Sequence, residues 1–215
     1  RKLSGNEMGC LLLDYILRNL RKNGTLPEKP VAVKSIVSTP LAERIAAALG
    51  CEMRTVLTGF KYIGGVILEL EEQGCPERFV LGFEESCGYL KGDYARDKDA
   101  VVTAMLIAEM AASYKLEGRT LGDVMDGLYD EYGHFATGLQ NVQFTSDAQK
   151  EHCMALMEAL RRQPPEAVAG FPVTAVTDFR AGVETVRESG AQRPTGLPQG
   201  SGSFFSSVDQ TSTSI

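Results

Sequence analysis

A short acidic loop near the middle of the chain carries its most distinctive chemistry. This acidic loop, residues Gly82–Gly88, follows a run of apolar residues and reads Gly-Phe-Glu-Glu-Ser-Cys-Gly. Glu84, Glu85 and Ser86 place several hydrogen-bond acceptors and one small donor on a tight backbone, which suits the vicinal hydroxyls of a sugar. An ordinary solvated turn, in which Ser86 caps a neighbouring element, is the alternative interpretation.

Two cations follow the acidic loop at the predicted start of a helix, in the run Arg96-Asp97-Lys98-Asp99. Cations at the amino end of a helix oppose the helix dipole, so their presence needs another reason. An anionic ligand supplies one, because Arg96 can hold a phosphate through two hydrogen bonds and Lys98 can act as a point charge or carry a proton. A solvated surface run of alternating ion pairs is the alternative.

A third candidate is the pair Thr58-Gly59, which comes directly before a predicted helix. Such a pair can present backbone N–H groups to a ligand, although a plain strand-to-helix turn would look the same. The sequence contains neither G-x-G-x-x-G nor G-x-x-x-x-G-K-[ST], so it gives no support for a dinucleotide or P-loop nucleotide site. His134 and His152 stand in different predicted units, which disfavours a histidine metal cluster or a Ser-His-Asp triad.

The elements that must position these residues form a β-α-β-α-β series. Apolar runs predict strands over 31–37, 52–57 and 78–82, and the helices between them begin near Pro40 and at Phe60. Alternation of this kind predicts right-handed crossovers and a mainly parallel sheet covered on both faces. Ligands bind such sheets at the carboxyl ends of the strands, where the acidic loop and Thr58-Gly59 lie.

The remaining pattern predicts further helices around this series. An amphipathic helix opens the chain over 6–22, and residues 82–96 are too polar and glycine-containing for a strand. A helix over 98–114 is apolar on nearly every side and is therefore predicted to be buried. Another begins at Thr120, with Asp123 in the capping-box position.

The pattern breaks over 133–138, which predicts a domain boundary there. A strand over 139–144, a helix over 146–162 and a strand over 173–179 follow, with three helix residues predicted to face inward: Leu156, Met157 and Leu160. Residues 199–215 are mostly Ser, Gly, Thr and Gln, and this composition predicts disorder.

Composition excludes several classes of protein. The 215 residues include 28 acidic and 22 basic side chains, for a net charge of -6 without a basic block, which argues against nucleic acid or acidic membrane as a partner. Five widely spaced cysteines without a C-x-x-C pair indicate neither a disulfide framework nor a zinc site. No apolar run approaches the ~20 residues of a membrane span. Because the cysteine pattern suits a reducing compartment and no apolar signal core follows the charges at residues 1–5, we expect a cytoplasmic protein.

Three ordered motifs carry a resemblance to a known family. The runs G-F-E-E-S-C-G-Y over 82–89 and D-Y-A-R-D-K-D-A over 93–100 resemble the sugar-recognition loop and following helix of the α-D-phosphohexomutase superfamily, in its phosphoglucomutase and phosphomannomutase branch. T-G-F-K-Y-I-G over 58–64 lies at the proper distance upstream. The resemblance implies a three-layer α/β/α fold with a mainly parallel sheet, like domain III of that family, and a partial α+β C-terminal unit.

The resemblance also implies domain boundaries. Residues 1–26 would be the end of domain II, residues 27–135 the sugar-recognition domain III, and residues 136–198 a partial domain IV ahead of the 199–215 tail.

In that family a phosphoserine, assisted by Mg²⁺, interconverts hexose 1-phosphate and hexose 6-phosphate through a bisphosphorylated sugar. The resemblance therefore implies glucose or mannose phosphates as substrates of the parent protein. Glu84 and Ser86 would hydrogen-bond the sugar hydroxyls in both orientations of the intermediate. Lys98 would contact the substrate and help a proton transfer, Arg96 would support the site, and Thr58-Gly59 would line the crevice.

Three of the family's motifs are absent from this sequence. The serine loop T-x-S-H-N-P and the magnesium loop D-x-D-x-D-R do not occur, and neither does the phosphate-binding R-P-S-G-T-E-P beyond Gly196-Leu197-Pro198. We therefore expect a fragment that binds hexose phosphates weakly, holds no metal and has no catalytic activity by itself. A non-catalytic sugar-phosphate-binding or interaction module with the same fold is the alternative.

Overall fold

The computed structural model describes residues 1–135, 143–168, 171–197 and 204–207. The chain divides into two units, Arg1–Gly138 and Leu139–Ile215. Each unit has its own sheet. No helix in these described ranges has the length and apolar character needed to cross a bilayer.

A four-stranded sheet with the order β2-β1-β3-β4 forms the centre of the first unit. The strands β1 (Val31–Ser35), β2 (Glu52–Val56) and β3 (Phe79–Glu84) run parallel, and β4 (Gly88–Leu90) runs antiparallel to β3. Every residue of β1 and β3 is buried, as expected for central strands that are covered on both faces. The predicted β-α-β-α-β series and α/β/α fold are confirmed.

Five helices surround this sheet: α1 (Gly5–Lys22), α2 (Leu41–Ala48), α3 (Phe60–Glu72), α4 (Ala100–Leu116) and α5 (Leu121–Tyr132). One apolar cluster contains residues of α1, α2 and α5, and a second joins α3 to β1 and β3. The predicted capping box of α5 is present, since Thr120 and Asp123 hydrogen-bond each other's backbone N–H groups. Polar contacts also link α1 to α5, including an ion pair of 3.5 Å between Arg18 and Glu131.

A β-hairpin occupies part of the segment 82–96, which the sequence predicts to be a loop. Strand β3 continues to Glu84, and β4 pairs with it in the register Gly82↔Leu90, Phe83↔Tyr89 and Glu84↔Gly88. The prediction was wrong at these positions because ladder hydrogen bonds use only the backbone, which glycine provides as well as any residue. At Gly82 a side chain would not fit without a shift of its neighbours, since an added Cβ would lie 2.5 Å from Cγ2 of Ile63 and 3.0 Å from the Phe79 ring.

Helix α4 is far more exposed than its apolar sequence predicts. Only Thr103 and Met110 of this helix are buried, whereas Val101 and Met105 are 71% and 67% exposed. One side of α4 packs against α1, α5 and β4. A helix that is apolar on all sides has no polar face to mark its solvent side. Its sequence therefore could not indicate which of its sides would be covered.

The second unit contains helix α6 (Asp147–Arg162), capped by Ser146, and an antiparallel sheet with the order β10-β7-β8-β9. Its strands are β7 (Ala175–Asp178), β8 (Val183–Val186), β9 (Gln192–Pro194) and β10 (Phe204–Ser207), while β5 (Ala167–Val168) pairs with β6 (Phe171–Pro172). Thus four residues of the serine-rich tail, predicted to be disordered, form a strand paired with β7.

Two other expectations for this unit can be compared with the structure. The predicted inward residues of α6 are not buried: Leu156 is 51% exposed, and Met157 and Leu160 are only partly covered. The helical spacing was correct, but periodicity alone cannot supply the neighbour that would cover the apolar side. The strand predicted over 139–144 lies mostly outside the described residues.

Candidate functional site

The acidic loop joins β3 to β4 and lies at the carboxyl ends of the parallel strands. Glu84 is the last residue of β3 and is only 5% exposed. Its Oε1 accepts a hydrogen bond of 2.8 Å from the backbone N–H of Gly59, which precedes α3. The structure therefore brings together two of the predicted site residues that are 25 positions apart in the sequence.

Gly59 has the geometry that this contact requires. It is the N-cap of α3 and has φ +120°, a backbone conformation that residues other than glycine rarely adopt. No side chain caps this helix end from within the helix itself. The Glu84 carboxylate fills that role from β3, because a negative charge is favourable at the amino end of a helix. Thr58, at the carboxyl end of β2, is exposed beside this contact.

Lys98 reaches the same place from the segment before α4. A Cβ added at Gly88 would lie 3.3 Å from Cδ of Lys98 and 3.4 Å from Oε2 of Glu84, so both side chains border this glycine. The ammonium lies 5.0 Å from the centre of the Phe60 ring and 3.1 Å from a carboxylate oxygen of Asp97. Because the Lys98 side chain is 51% exposed, its charge is available to an incoming anion.

The tip of the acidic loop is open to solvent. Ser86 and Cys87 are both exposed, and Cys87 adopts a left-handed φ of +65°. Glu85 is partly buried, and its Oε2 accepts a hydrogen bond of 3.0 Å from the Ser35 hydroxyl at the end of β1. Of the two adjacent carboxylates, one is therefore bound to the start of α3 and the other to β1.

Arg96 lies elsewhere. Its guanidinium forms an ion pair with Glu71, in the last turn of α3, and donates hydrogen bonds to the backbone carbonyls of Asp93 and Ala95 at 2.6 and 3.1 Å. Glu71 is about 18 Å along the helix from Gly59, at a rise of about 1.5 Å per residue. In this structure Arg96 thus links the segment before α4 to α3, and its guanidinium is engaged by Glu71 and two backbone carbonyls.

A buried lysine at the same edge of the sheet was missed by the sequence reasoning. Lys34 is 2% exposed; its ammonium donates to the carbonyl of Ser38 at 3.1 Å and pairs with Glu43 at 3.0 Å. A lysine inside the apolar run Val31–Val37 was the available signal, since buried lysines are rare unless paired.

Two further groups beneath the loop stay neutral near pH 7. Burial raises the pKa of the Cys10 thiol to about 12 and also raises the pKa of Tyr89. The Tyr89 hydroxyl instead donates a hydrogen bond of 2.9 Å to the carbonyl of Gly5. Neither group is therefore suited to accept a proton at neutral pH.

The arrangement can bind a neutral polyol and an adjacent anion. Carboxylate, serine hydroxyl and backbone N–H groups suit sugar hydroxyls, and Lys98 suits a phosphate. Among the residues that the structure describes, no three His, Cys, Asp or Glu side chains cluster as metal ligands. The described part of the chain therefore offers no preformed cluster of three such ligands for Mg²⁺.

Comparison with known proteins identifies the family to which this fold belongs. The family described as phosphoglucomutase/phosphomannomutase, alpha/beta/alpha domain III, matches residues 4–132 of the chain. A phosphoglucomutase of Staphylococcus haemolyticus is 34% identical over 195 residues, which is 91% of this chain and 34% of the relative. A phosphoglucomutase of Staphylococcus epidermidis is 34% identical over 182 residues, or 85% of this chain and 32% of the relative. The chain thus spans about a third of the length of these relatives.

Solved structures share the fold at low sequence identity. The open form of pp63/parafusin, a phosphoglucomutase from Paramecium, aligns with a TM-score of 0.56 and 16% identity over 89% of this chain and 31% of its own. A phosphoglucomutase/phosphomannomutase family protein from Burkholderia thailandensis aligns with a TM-score of 0.50 and 17% identity over 80% of this chain and 32% of its own. From the match over residues 4–132, the chain belongs to the phosphoglucomutase/phosphomannomutase family and carries its α/β/α domain III.

Proposed function

We propose that this chain is the sugar-recognition segment of a phosphohexomutase. The parent enzyme would interconvert hexose 1-phosphate and hexose 6-phosphate through a phosphoserine and a bisphosphorylated sugar. The observation that carries the proposal is that Glu84 and Lys98 both border Gly88, in the loop that the family uses for its sugar. A carboxylate acceptor and a cation beside the same glycine suit a hydroxyl and a phosphate of one small ligand.

Each residue of the site has a role in this proposal. Glu84 and Ser86 hydrogen-bond the sugar hydroxyls, and Thr58 and Gly59 line the crevice beside them. Lys98 contacts the substrate and can move a proton at its ammonium, which is exposed enough to exchange protons with solvent. Arg96 supports the site at a distance by fastening the segment that carries Lys98 to α3.

The phosphoryl donor and Mg²⁺ of the parent are assigned to other segments of it. Neither T-x-S-H-N-P nor D-x-D-x-D-R occurs in this sequence, and the described residues offer no metal cluster. The chain alone therefore recognises hexose phosphates without turning them over. Its net charge of -6 and its five unpaired cysteines support a small-molecule ligand in a reducing, cytoplasmic setting.

A titration of the isolated chain tests the recognition step. Adding glucose 1-phosphate should shift the backbone amide resonances of Thr58, Gly59 and the acidic loop in a two-dimensional NMR spectrum, with a dissociation constant on the order of millimolar. Inorganic phosphate and glucose are the controls, and each should bind more weakly than the ester. If these resonances do not shift at glucose 1-phosphate concentrations up to about 20 mM, the assignment of this loop to hexose-phosphate binding is refuted.

A coupled mutase assay on the parent, with glucose 1-phosphate and mannose 1-phosphate side by side, tests the reaction. A non-catalytic sugar-phosphate-binding module is the second candidate, favoured by the absence of the serine and metal motifs from this sequence. A parent reading frame that encodes both motifs and turns over either ester supports the enzyme. A parent without them that still binds the ester supports the module.

A further inference from the structure

A buried pair of serines directs its hydrogen bonds toward the acidic loop. Ser35, the last residue of β1, is fully buried and donates its hydroxyl proton to Oε2 of Glu85 at 3.0 Å. The hydroxyls of Ser35 and Ser38 are 2.9 Å apart. A hydroxyl has only one proton to donate, so Ser38 donates to Ser35 and Ser35 donates to Glu85. The Ser35–Glu85 bond therefore connects β1 to the acidic loop across 50 residues of sequence.

The first turn of α1 supports the loop from another side. A Cβ added at Gly5 would overlap the backbone carbonyl oxygen of Glu85 and would lie 3.0 Å from the backbone nitrogen of Cys87. The hydroxyl of Tyr89, in β4, donates to the Gly5 carbonyl. The backbone of the loop therefore rests directly on α1, and the Ser35 bond fixes the side chain of Glu85 against β1.

The carboxylates of Glu84 and Glu85 therefore have different partners. Glu84 is bound to the start of α3 and borders Gly88 together with Lys98, whereas Glu85 is bound to a buried serine. We propose that Ser35, acting through Glu85, is a positioning residue that holds Glu84 and Ser86 in the geometry needed to bind a hexose phosphate. The inference rests on the proposed function for its ligand, but the positioning of the loop can be measured without any ligand.

Four single variants of the 215-residue chain test it: Ser35→Ala, Glu85→Ala, Glu85→Gln and Thr120→Ala. Thr120→Ala removes the N-cap of α5, which should cost stability without touching the loop. Amide hydrogen exchange at Ser86 and Cys87 reports loop mobility, and titration with glucose 1-phosphate reports affinity.

Ser35→Ala and Glu85→Ala should each speed exchange at the loop about tenfold and weaken binding about fivefold, because each removes a hydrogen bond to a charged group. Glu85→Gln should stay within about twofold of the unsubstituted chain, since its amide oxygen can accept the same bond. Thr120→Ala should lower the melting temperature and leave both loop measurements unchanged. The double variant Ser35→Ala/Glu85→Ala should behave like either single variant.

Several results would overturn the inference. One is loop exchange and affinity that stay within about twofold in Ser35→Ala. Another is weaker binding in Glu85→Ala but not in Ser35→Ala, which would make Glu85 a direct ligand contact. If Ser35→Ala does not fold, Glu85→Ala and Glu85→Gln carry the same comparison. If the unsubstituted chain shows no response to glucose 1-phosphate, the proposed function fails while the exchange measurement still decides whether Ser35 positions the loop.

Discussion

Replacing Glu84 separates its structural role from its role in binding. Its carboxylate accepts the Gly59 N–H at 2.8 Å and is 5% exposed, so Glu84→Ala leaves a helix-end donor without its acceptor. A hydrogen bond to a charged group contributes about 1.5–3 kcal/mol, and because Gly59 is partly open to water we expect the lower part of this range, about 1.5–2 kcal/mol. For a unit of this size that lowers the melting temperature by about 5–8 °C.

Thermal unfolding followed by circular dichroism measures this change. Glu84→Gln should lose less than half as much, because the amide oxygen still accepts the Gly59 N–H. Glu72→Ala is the matched control: it removes an exposed carboxylate from the end of α3 and should stay within about 0.5 kcal/mol. Under the proposed function, Glu84→Ala in the parent should also lower mutase turnover more than about tenfold. A melting temperature of Glu84→Ala equal to that of Glu72→Ala would refute the structural part of the reasoning.

Three further predictions concern the first unit. Met110→Ala should cost about 2–5 kcal/mol in chemical denaturation and Met105→Ala less than about 0.5 kcal/mol, because the first side chain is fully buried and the second is mostly exposed on the same helix; equal costs would contradict the burial pattern. A thiol reagent should modify exposed Cys87 in the folded chain and buried Cys10, whose pKa is raised to about 12 by burial, only after unfolding, as read by peptide mass mapping. Partial burial acts to raise the pKa of Glu7, but hydrogen bonds from the N-cap residue of α1 and a nearby arginine lower it on balance below the ordinary 4.5. The contribution of the Glu7 carboxylate to stability is therefore present above about pH 4.5 and is lost as the pH falls through its lower folded pKa. Glu7→Gln should make the free energy of unfolding depend less steeply on pH over pH 2–5, as measured by denaturant titrations at each pH, and an unchanged pH dependence would count against this.

The sequence predicted the strands and helices of the sheet domain in their chain order, because apolar periodicity and the residues that begin or end an element are local properties. The alternation of apolar strands and helices, Gly59 before α3 and the capping box at Thr120 could all be seen within a few residues. The β3–β4 hairpin could not, because its glycines and acidic residues hide a backbone ladder. The exposure of Met105 was missed for a related reason, since an all-apolar helix does not indicate which of its sides will find a neighbour.

The site was only partly predictable because its contacts are long-range. Residue chemistry alone did not distinguish Glu84 from Glu85, and the family resemblance assigned the sugar to Glu84. In the structure their partners, Gly59 and Ser35, distinguish them. The charge of Arg96 suggested a ligand, but in the folded chain it is paired with the far end of α3. A sequence shows which groups are available, whereas the choice of partner is decided by which elements the sheet brings together.

The association of α1 with α5 delays the folding of this unit during synthesis on the ribosome. An ion pair of 3.5 Å between Arg18 and Glu131 and the apolar cluster shared by the two helices join segments that are more than one hundred residues apart. Helix α1 therefore leaves the exit tunnel long before α5, and the part of its apolar side that α5 covers stays exposed until α5 has been synthesised. Nascent chains should bind ribosome-associated chaperones during this interval, and rare codons before α5 would lengthen it.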